Sequence, residues 1–172
     1  MKLPRYLQLA LLALWLVTAG AVVWAQELSG RIVGVIDGDT VDLLTDSKQR
    51  VRVRLVGIDA PERRQPFGSV AKKVLSDLVF SKQVLLEGKK TDRYGRLVAK
   101  VIVGGQDANL RLVRLGYAWH YKRYQSEQTG EDRHLYAAAQ GAAMKERLGL
   151  WRDPEPIAPW DFRASRPGNS RK

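Results

Sequence analysis

Two short acidic clusters are the residues of this sequence best suited to chemistry. One is the run Asp37-Gly38-Asp39, and the other contains Asp59 and Glu62. Each follows a run of β-branched and aliphatic residues, so each is expected where a strand ends. Acids in turns commonly bond their own backbone, so either cluster alone is ordinary turn chemistry. Brought together by a barrel, the pair would offer the hard oxygen ligands that calcium prefers.

Two arginines are placed to assist such a centre. Arg54 precedes Asp59 by five residues, and Arg96 closes the run at 92–96 before the next strand. The planar guanidinium fits two phosphate oxygens at once, so two of them beside a metal would stabilise charge on a phosphate under attack. A lone arginine in so basic a chain is more often a surface charge. Strict alternation also sends Arg54 and Asp59 to opposite faces, so a bend or a bulge near Gly57 is required.

Five segments have the composition of strands and would position these residues. Residues 30–36 and 40–44 predict a hairpin around the first acidic turn. Residues 50–55 alternate basic and apolar side chains, which is typical of a strand with one buried face. Residues 83–87 and 97–103 are two further apolar runs, joined by a polar stretch.

Three segments have the spacing of helices. Residues 69–80 carry an apolar stripe, Asp107 can cap a short second helix that Gly116 would end, and Gly149 would end the last one. The expected buried residues are Ala71, Val74, Leu75 and Leu78 in the first helix, Leu110, Leu112 and Val113 in the second, and Leu135, Ala138, Ala139 and Ala142 in the third.

The first 25 residues differ from the rest of the chain. Two basic residues precede an almost wholly apolar run, and Ala25-Gln26 follows in a small-residue cleavage pattern. This layout predicts a secretory signal peptide, with an uncleaved, outward-facing membrane anchor as the alternative. Without Lys2 and Arg5 the formal net charge falls by two from +11, to +9, which still favours polyanionic partners. The chain has no cysteine, so the fold must rely on its core.

Residues 26–151 have the size of one domain. The segment 152–172 contains four of the seven prolines with scattered basic residues, so we predict a flexible, extended or disordered tail, in which Trp160 could dock back.

The order and spacing of these motifs resemble the staphylococcal nuclease, or thermonuclease, family. The resemblance spans about residues 30–151. It implies a β-rich α+β fold, an OB-type barrel of five strands with three helices. The matching segments are Val35-Ile36-Asp37-Gly38-Asp39-Thr40, Arg54-Leu55-Val56-Gly57-Ile58-Asp59-Ala60-Pro61-Glu62, Thr91-Asp92-Arg93-Tyr94-Gly95-Arg96, the run 109–116, and Leu148-Gly149-Leu150-Trp151.

The resemblance also implies a role for each site residue. Asp39 and Asp59 would bind Ca²⁺ through their carboxylates, and the backbone carbonyl of Ala60 would be a further ligand. Glu62 would act as general base on the attacking water. Arg54 and Arg96 would neutralise charge on the scissile phosphate. The expected reaction is hydrolysis of DNA and RNA that leaves 3′-phosphate ends.

Two features depart from the best-known member of that family. Ala60 stands where that protein has a threonine, which removes a hydroxyl contact but leaves the main-chain oxygen available to a metal. The segment between Glu62 and the first helix is short, so the flexible loop after the general base is reduced. The first departure bears on metal binding and the second on the rate.

Aromatic residues interleaved with Lys122 and Arg123 resemble a base-stacking platform beside a basic groove. We expect Tyr94, Tyr121 and Tyr124 to contact substrate, with a cluster at the solvent edge of the core as the alternative. His120 is not needed for the chemistry and is interpreted as structural or as a weak nucleic-acid contact.

Two other classes of function remain open from sequence. One is a catalytically inactive OB-fold module that binds nucleic acid. The other is a cationic adhesion or membrane-associated protein, which explains the leader and the charge but not the paired carboxylates. As an enzyme, the chain is expected to be an exported monomer, periplasmic or secreted, without an obligate protein partner, and to associate with a membrane only if the leader is uncleaved.

Overall fold

The computed structural model describes residues 28–165, so the predicted leader and residues 166–172 lie outside the described residues. Eight strands are present in this range, five of them long enough to build a barrel. They are β1 (Leu28–Val35), β2 (Thr40–Thr45), β3 (Arg50–Leu55), β4 (Ile58–Asp59), β5 (Gln83–Thr91), β6 (Leu97–Val103), β7 (Gln106–Asp107) and β8 (Trp119–His120).

The five long strands close into a barrel. β1 pairs with β2 and with β5, β2 pairs with β3, and β5 pairs with β6, all antiparallel. A parallel pairing of β3 with β6, in which Val53 lies opposite Leu97, joins the two ends. This arrangement confirms the predicted five-stranded OB-type barrel, and closure leaves its long strands without a free edge.

Strand β5 is longer than the sequence suggested, because its ladder with β6 continues through a stretch predicted to be a polar connection. The register shifts between Glu87 and Lys90, which marks a bulge. Gly88 lies in the bulge, where a Cβ atom would stand 2.2 Å from the carbonyl oxygen of Val98. Only glycine allows this close approach of the two strands.

Four α-helices are present in the described residues, and the first three confirm the predicted ones. They are α1 (Gly68–Val79), α2 (Ala108–Arg114), α3 (Gly130–Lys145) and α4 (Pro159–Ala164), with 3-10 turns at Lys122–Glu127 and Gly149–Arg152.

Helix α2 shows why these segments fold as they do. Asp107 caps it by accepting a hydrogen bond from the backbone N–H of Leu110 at 3.0 Å, as the sequence indicates. Gly116 follows at φ +73°, the left-handed conformation that ends helices at glycine. The sequence therefore encodes both ends of this helix.

The core lies between the barrel and helices α1, α2 and α3. Of the four residues predicted to be buried in α3, Ala139 is buried, whereas Leu135, Ala138 and Ala142 are exposed. Tyr136 and Ala143 are buried with Ala139 instead. The Tyr136 hydroxyl donates a 2.7 Å hydrogen bond to Asp107 at the start of α2. Small residues fill both faces of α3, so helical spacing could not identify the buried one.

The prediction of an extended or disordered tail after Trp151 is wrong for residues 159–164, which form a helix. Gly149–Arg152 forms a 3-10 turn and Pro159–Ala164 forms α4. Proline is well suited to the first turn of a helix, since its missing N–H is not needed there. Trp160 does pack back on the domain, as expected.

Among residues 28–165, none of the helices has the length and apolar character needed to cross a bilayer.

Candidate active site

Asp39 is fixed in the turn between β1 and β2. One of its carboxylate oxygens accepts from the Thr40 hydroxyl at 3.1 Å, and the other accepts from the backbone N–H of Ala60 at 2.8 Å. The backbone N–H of Asp39 in turn donates to the Asp37 carboxylate at 3.0 Å. The first acidic turn is therefore tied directly to the segment that follows β4.

The bend expected near Gly57 is present. Gly57 has φ +74°, so the position requires glycine by conformation, and a Cβ atom there would lie 2.3 Å from the Gln128 side chain, which would have to move. The turn separates β3 from β4 and changes the direction of the chain. It brings Arg54 and Asp59 to the same side, with Nη2 of the arginine 3.1 Å from Oδ1 of the carboxylate.

Arg54 is the centre of the cluster. Its Nη1 donates to the carbonyl oxygens of Leu55 and Ile58 at 2.8 and 2.9 Å, around the Gly57 bend. Its Nη2 lies 3.1 Å from oxygens of both Asp39 and Asp59. Because one nitrogen reaches both carboxylates, the two acidic clusters converge as predicted.

Glu62 joins this cluster through a residue that sequence reasoning did not identify. Arg163, on α4, donates from Nη1 to Oε1 of Glu62 and from Nη2 to Oδ2 of Asp59, each at 2.7 Å. Sequence reasoning missed Arg163 because it is one of many basic residues. Its spacing could have identified it. Arg163 follows Trp160 by three residues in a segment that begins with Pro159, so a helix there would place both side chains on one face.

Arg96 lies apart from this cluster, in the turn between β5 and β6. It forms an ion pair with Asp92 at 2.8 Å, and Tyr94 lies beside it with the ring centre 5.3 Å from the guanidinium carbon. Tyr94 is 69% exposed. The structure therefore brings Arg54, Asp39, Asp59 and Glu62 together and leaves Arg96 and Tyr94 on a neighbouring hairpin.

Two of the three tyrosines predicted to contact substrate, Tyr121 and Tyr124, lie on the segment that follows β8, the strand paired with β4. Tyr121 and Tyr124 meet edge to face at 5.3 Å, and Trp160 stacks on Tyr121 at 5.2 Å. In the two-stranded ladder of β4 and β8, Trp119 is paired with Asp59. The lining residues of a cavity of about 330 Å³ here are Trp119, His120, Tyr121, Lys122, Arg123, Gln140 and Trp160.

Comparison with known proteins identifies the family. Residues 52–153 match the family described as Staphylococcal nuclease homologue. That segment is more than half of the chain and contains Arg54, Asp59, Glu62 and Arg96. The chain belongs to the staphylococcal nuclease family.

Individual relatives agree with this assignment. A Shigella flexneri protein named micrococcal nuclease is 40% identical over 169 residues, covering 90% of this chain and 94% of the relative. An uncharacterized endonuclease of Haemophilus influenzae is 44% identical over 133 residues, 77% of this chain and 71% of its own length. Protein ParB of Escherichia coli is 41% identical over 182 residues, 100% of this chain and 98% of the relative. The present chain is accordingly a phosphodiester hydrolase of the nuclease type.

Burial sets the electrostatics of this nuclease site. Asp59 is 2% exposed, and burial raises its pKa although hydrogen bonds and charge from Arg163 and Arg54 oppose the shift. Burial, reinforced by the charge of Asp39, raises the pKa of Asp37 to about 6. A cluster that keeps carboxylates out of water requires cationic partners to hold them charged.

The donor set is chemically suited to a hard divalent cation. Asp39 and Asp59 supply carboxylate oxygens, the ligand type that calcium binds. No three acidic, histidine or cysteine side chains within residues 28–165 are grouped as a ready-made metal site. Guanidinium groups and the Ala60 N–H contact carboxylate oxygens of Asp39 and Asp59 that a metal would use.

His120 is structural in this fold. It is 3% exposed, and its Nε2 lies 3.0 Å from the side-chain oxygen of Gln128, the residue that also contacts Gly57. Its backbone N–H donates to Gln140 on α3 at 2.8 Å. The residue thus links β8 to α3 and to the bend that carries Asp59.

Proposed function

We propose that this nuclease hydrolyses DNA and RNA with calcium as its cofactor and leaves 3′-phosphate ends. The observation that carries the proposal is that Nη2 of Arg54 contacts the carboxylates of both Asp39 and Asp59. Arg163 links Glu62 to the same cluster. Hydrolysis of a phosphodiester needs a cation, a base and charge stabilisation, and these residues can supply all three. The form of the product ends rests on the family resemblance.

Asp39 and Asp59 would hold the cation, together with the main-chain carbonyl of Ala60. When bound, calcium would supply positive charge to polarise the phosphate and to hold the attacking water. Glu62 is 34% exposed at its side chain, so it can both meet water and accept a proton from it.

Arg54 would stabilise the charge that develops on the phosphate. Its contacts with the Leu55 and Ile58 carbonyls orient the guanidinium before substrate arrives, which is the preorganisation that such stabilisation requires. Arg96 would approach the same phosphate from the neighbouring hairpin. Its 2.8 Å pair with Asp92 fixes the guanidinium near the exposed Tyr94.

Nucleic acid would lie across the aromatic surface made by Tyr94, Tyr121 and Tyr124. The two tyrosines exposed to water, at 69% for Tyr94 and 47% for Tyr124, offer ring faces on which bases can stack. A net charge of +11 for the whole chain favours polyanion binding that weakens with salt.

The decisive experiment compares cleavage and binding in a Glu62→Gln variant. Glu62 acts in the chemical step, so single-turnover cleavage of a labelled oligonucleotide with calcium should fall by roughly two or more orders of magnitude. Affinity for the same oligonucleotide at the same salt should change little, because attraction to a polyanion depends on the surface charge. Glu146→Gln, at an exposed glutamate, is the matched control.

Three results would each contradict part of the proposal. Equal cleavage by parent and Glu62→Gln would remove Glu62 as the base. Robust cleavage in excess chelator, or equal cleavage with magnesium, would remove calcium, since magnesium needs a tighter octahedral shell. Absence of cleavage in the parent protein would favour a binding module instead.

We further propose that the protein is exported and begins at Gln26 after removal of its leader. The support is the sequence pattern of residues 1–25. N-terminal sequencing of protein recovered outside the cytoplasm tests this. An intact Met1 in the membrane fraction would favour the anchor.

A further inference from the structure

A C-terminal arm, residues 153–165, packs against the site from outside the barrel. Ala158 and Pro159 are buried at the start of α4. Trp160 then stacks on Tyr121 at 5.2 Å and meets Trp119 edge to face at 5.5 Å. Aromatic contacts of this kind hold a short helix that has too few backbone hydrogen bonds to be stable alone.

A second attachment joins the arm to the segment that carries Glu62. The buried side chain of Gln65 donates to the carbonyl oxygen of Ile157 at 2.6 Å and accepts from the backbone N–H of Glu62 at 3.0 Å. One amide group therefore fixes the distance between the arm and the Glu62 segment. The arm is thus attached at two points, through Trp160 on Tyr121 and through Ile157 on Gln65.

The arm places Arg163 directly on the carboxylates. Its Nη2 is 2.7 Å from Oδ2 of Asp59, and its Nη1 is 3.3 Å from Oδ1 of the same carboxylate and 2.7 Å from Glu62. The guanidinium therefore contacts both oxygens of Asp59 and one oxygen of Glu62. Arg54 and Arg163 both contact Oδ1 of Asp59, and Arg163 also contacts Oδ2.

We propose that Arg163 competes with the divalent cation for Asp59, so that the arm must release this carboxylate before metal binds. The inference rests on the proposed function, because Asp59 is a metal ligand only in that function. Release of Arg163 would free Glu62 at the same time. Metal entry and availability of the base are thereby coupled to one movement of the arm.

The physical reason is that Arg163 contacts both oxygens of Asp59, whereas the Arg54 contact is with Oδ1, so a metal ion on Oδ2 would meet the Arg163 guanidinium at contact distance. A divalent ion on Asp59 would lie within a few ångströms of the guanidinium, where repulsion is strong because the site is shielded from water. The guanidinium side chain is 37% exposed, so it can move into solvent, whereas Asp59 is 2% exposed and cannot follow it. Arg163 is therefore the partner that leaves.

Calcium affinity of the purified full-length protein tests this by isothermal titration calorimetry without substrate. Arg163→Gln should bind calcium at least about tenfold more tightly than the parent, because the fraction of molecules with a free Asp59 rises. Calcium should also raise the thermal midpoint of the variant by more than that of the parent. Arg152→Gln removes the same charge from an exposed position near the arm and should leave the affinity unchanged.

A second variant distinguishes competition by the Arg163 guanidinium for Asp59 from the effect of a positive charge at position 163. Arg163→Lys keeps the charge but cannot bridge Asp59 and Glu62 with one planar group, so its calcium affinity should lie between those of the parent and Arg163→Gln. Circular dichroism checks the fold of each variant. If Arg163→Gln does not fold, the comparison of Arg163→Lys with the parent decides, and equal or weaker binding by Lys overturns the proposal.

The outcomes for the inference and for the proposed function differ. Calcium-dependent cleavage by the parent, with equal or weaker calcium binding in Arg163→Gln, overturns only the competition and would make Arg163 an aid to metal binding. Binding by the variant alone supports the competition in its strongest form. If neither parent nor variant binds calcium, both the cofactor assignment and the competition fail.

Discussion

The two halves of the site are held in different ways. Asp39, Arg54 and Asp59 belong to the barrel and are bonded to main-chain groups, including the Ala60 N–H and the carbonyls of Leu55 and Ile58. The arm is held mainly by side chains, through Trp160 and Gln65. The barrel half is therefore tied into the strand framework, whereas these contacts of the arm lie outside the strand ladder.

This difference assigns different tasks to three arginines. Arg54 has a side chain that is 16% exposed and is fixed by four acceptor groups, which suits a permanent electrostatic role. Arg96 is held by one carboxylate in an exposed hairpin. Arg163 lies on a helix of six residues and contacts two carboxylates, those of Asp59 and Glu62. This short attachment suits a guanidinium that leaves the site when metal binds.

The largest expected effects come from replacing the two arginines predicted to contact phosphate. Arg54→Lys and Arg96→Lys should each lose about 3 kcal/mol of transition-state stabilisation, roughly two orders of magnitude in single-turnover cleavage, because lysine cannot make the planar paired contact. Only Arg54→Lys should also lower the thermal midpoint, since only Arg54 is buried among main-chain acceptors. Near-normal turnover of Arg96→Lys would show that Arg96 is a surface charge without a role in catalysis.

An intermediate effect is expected from detaching the arm. Trp160→Ala should lower the free energy of unfolding by about 2 kcal/mol, because it removes a stacked and partly buried indole. Trypsin should then cut after Arg163 faster, and calcium should bind more tightly, as in Arg163→Gln. Denaturant titration and limited proteolysis measure these changes. Phe80→Ala, at a half-exposed aromatic residue 80 positions before Trp160, is the control. If the arm of Trp160→Ala resists trypsin as well as the parent does, Trp160 does not anchor it.

The smallest effect concerns pH and the packing of β8 against helix α3. Burial lowers the pKa of His120, and the positive charge of Lys122 lowers it further, while the hydrogen bond with Gln128 acts in the opposite direction. The centre of the Tyr136 ring lies 5.8 Å from that of the His120 ring. The neutral ring is thus favoured in the folded state, so its contribution is present above the unfolded pKa of about 6.5 and is lost as pH falls below it.

Unfolding in denaturant with chelator, between pH 7.5 and pH 5, measures this contribution. The stability advantage of the parent over His120→Asn should shrink as pH falls. His134→Asn, at an exposed histidine on α3, is the matched control. An advantage that grows toward acidic pH would show that the folded state prefers the protonated ring.

Local patterns predicted most of the barrel half. The acidic turn at 37–39, the alternation of β3 and the need for a bend at Gly57 were readable because each depends on residues close in sequence. The extension of β5 through Gly88 was not, since it depends on contact with Val98. The inward face of α3 was also not readable, because alanines occupy both faces and the hydrogen bond from Tyr136 to Asp107 crosses between helices.

The amino-acid sequence by itself determined the five barrel strands, the first three helices, their order and the family, because strand alternation, helix caps and motif spacing are local properties. It also indicated which carboxylates and which arginine would meet, once a bend was placed between them. Only the tertiary structure decided where residues 153–165 lie and that Arg163 bridges Asp59 and Glu62. Those contacts join positions 104 and 101 residues apart, and no local pattern encodes a pairing between charges so distant in the chain.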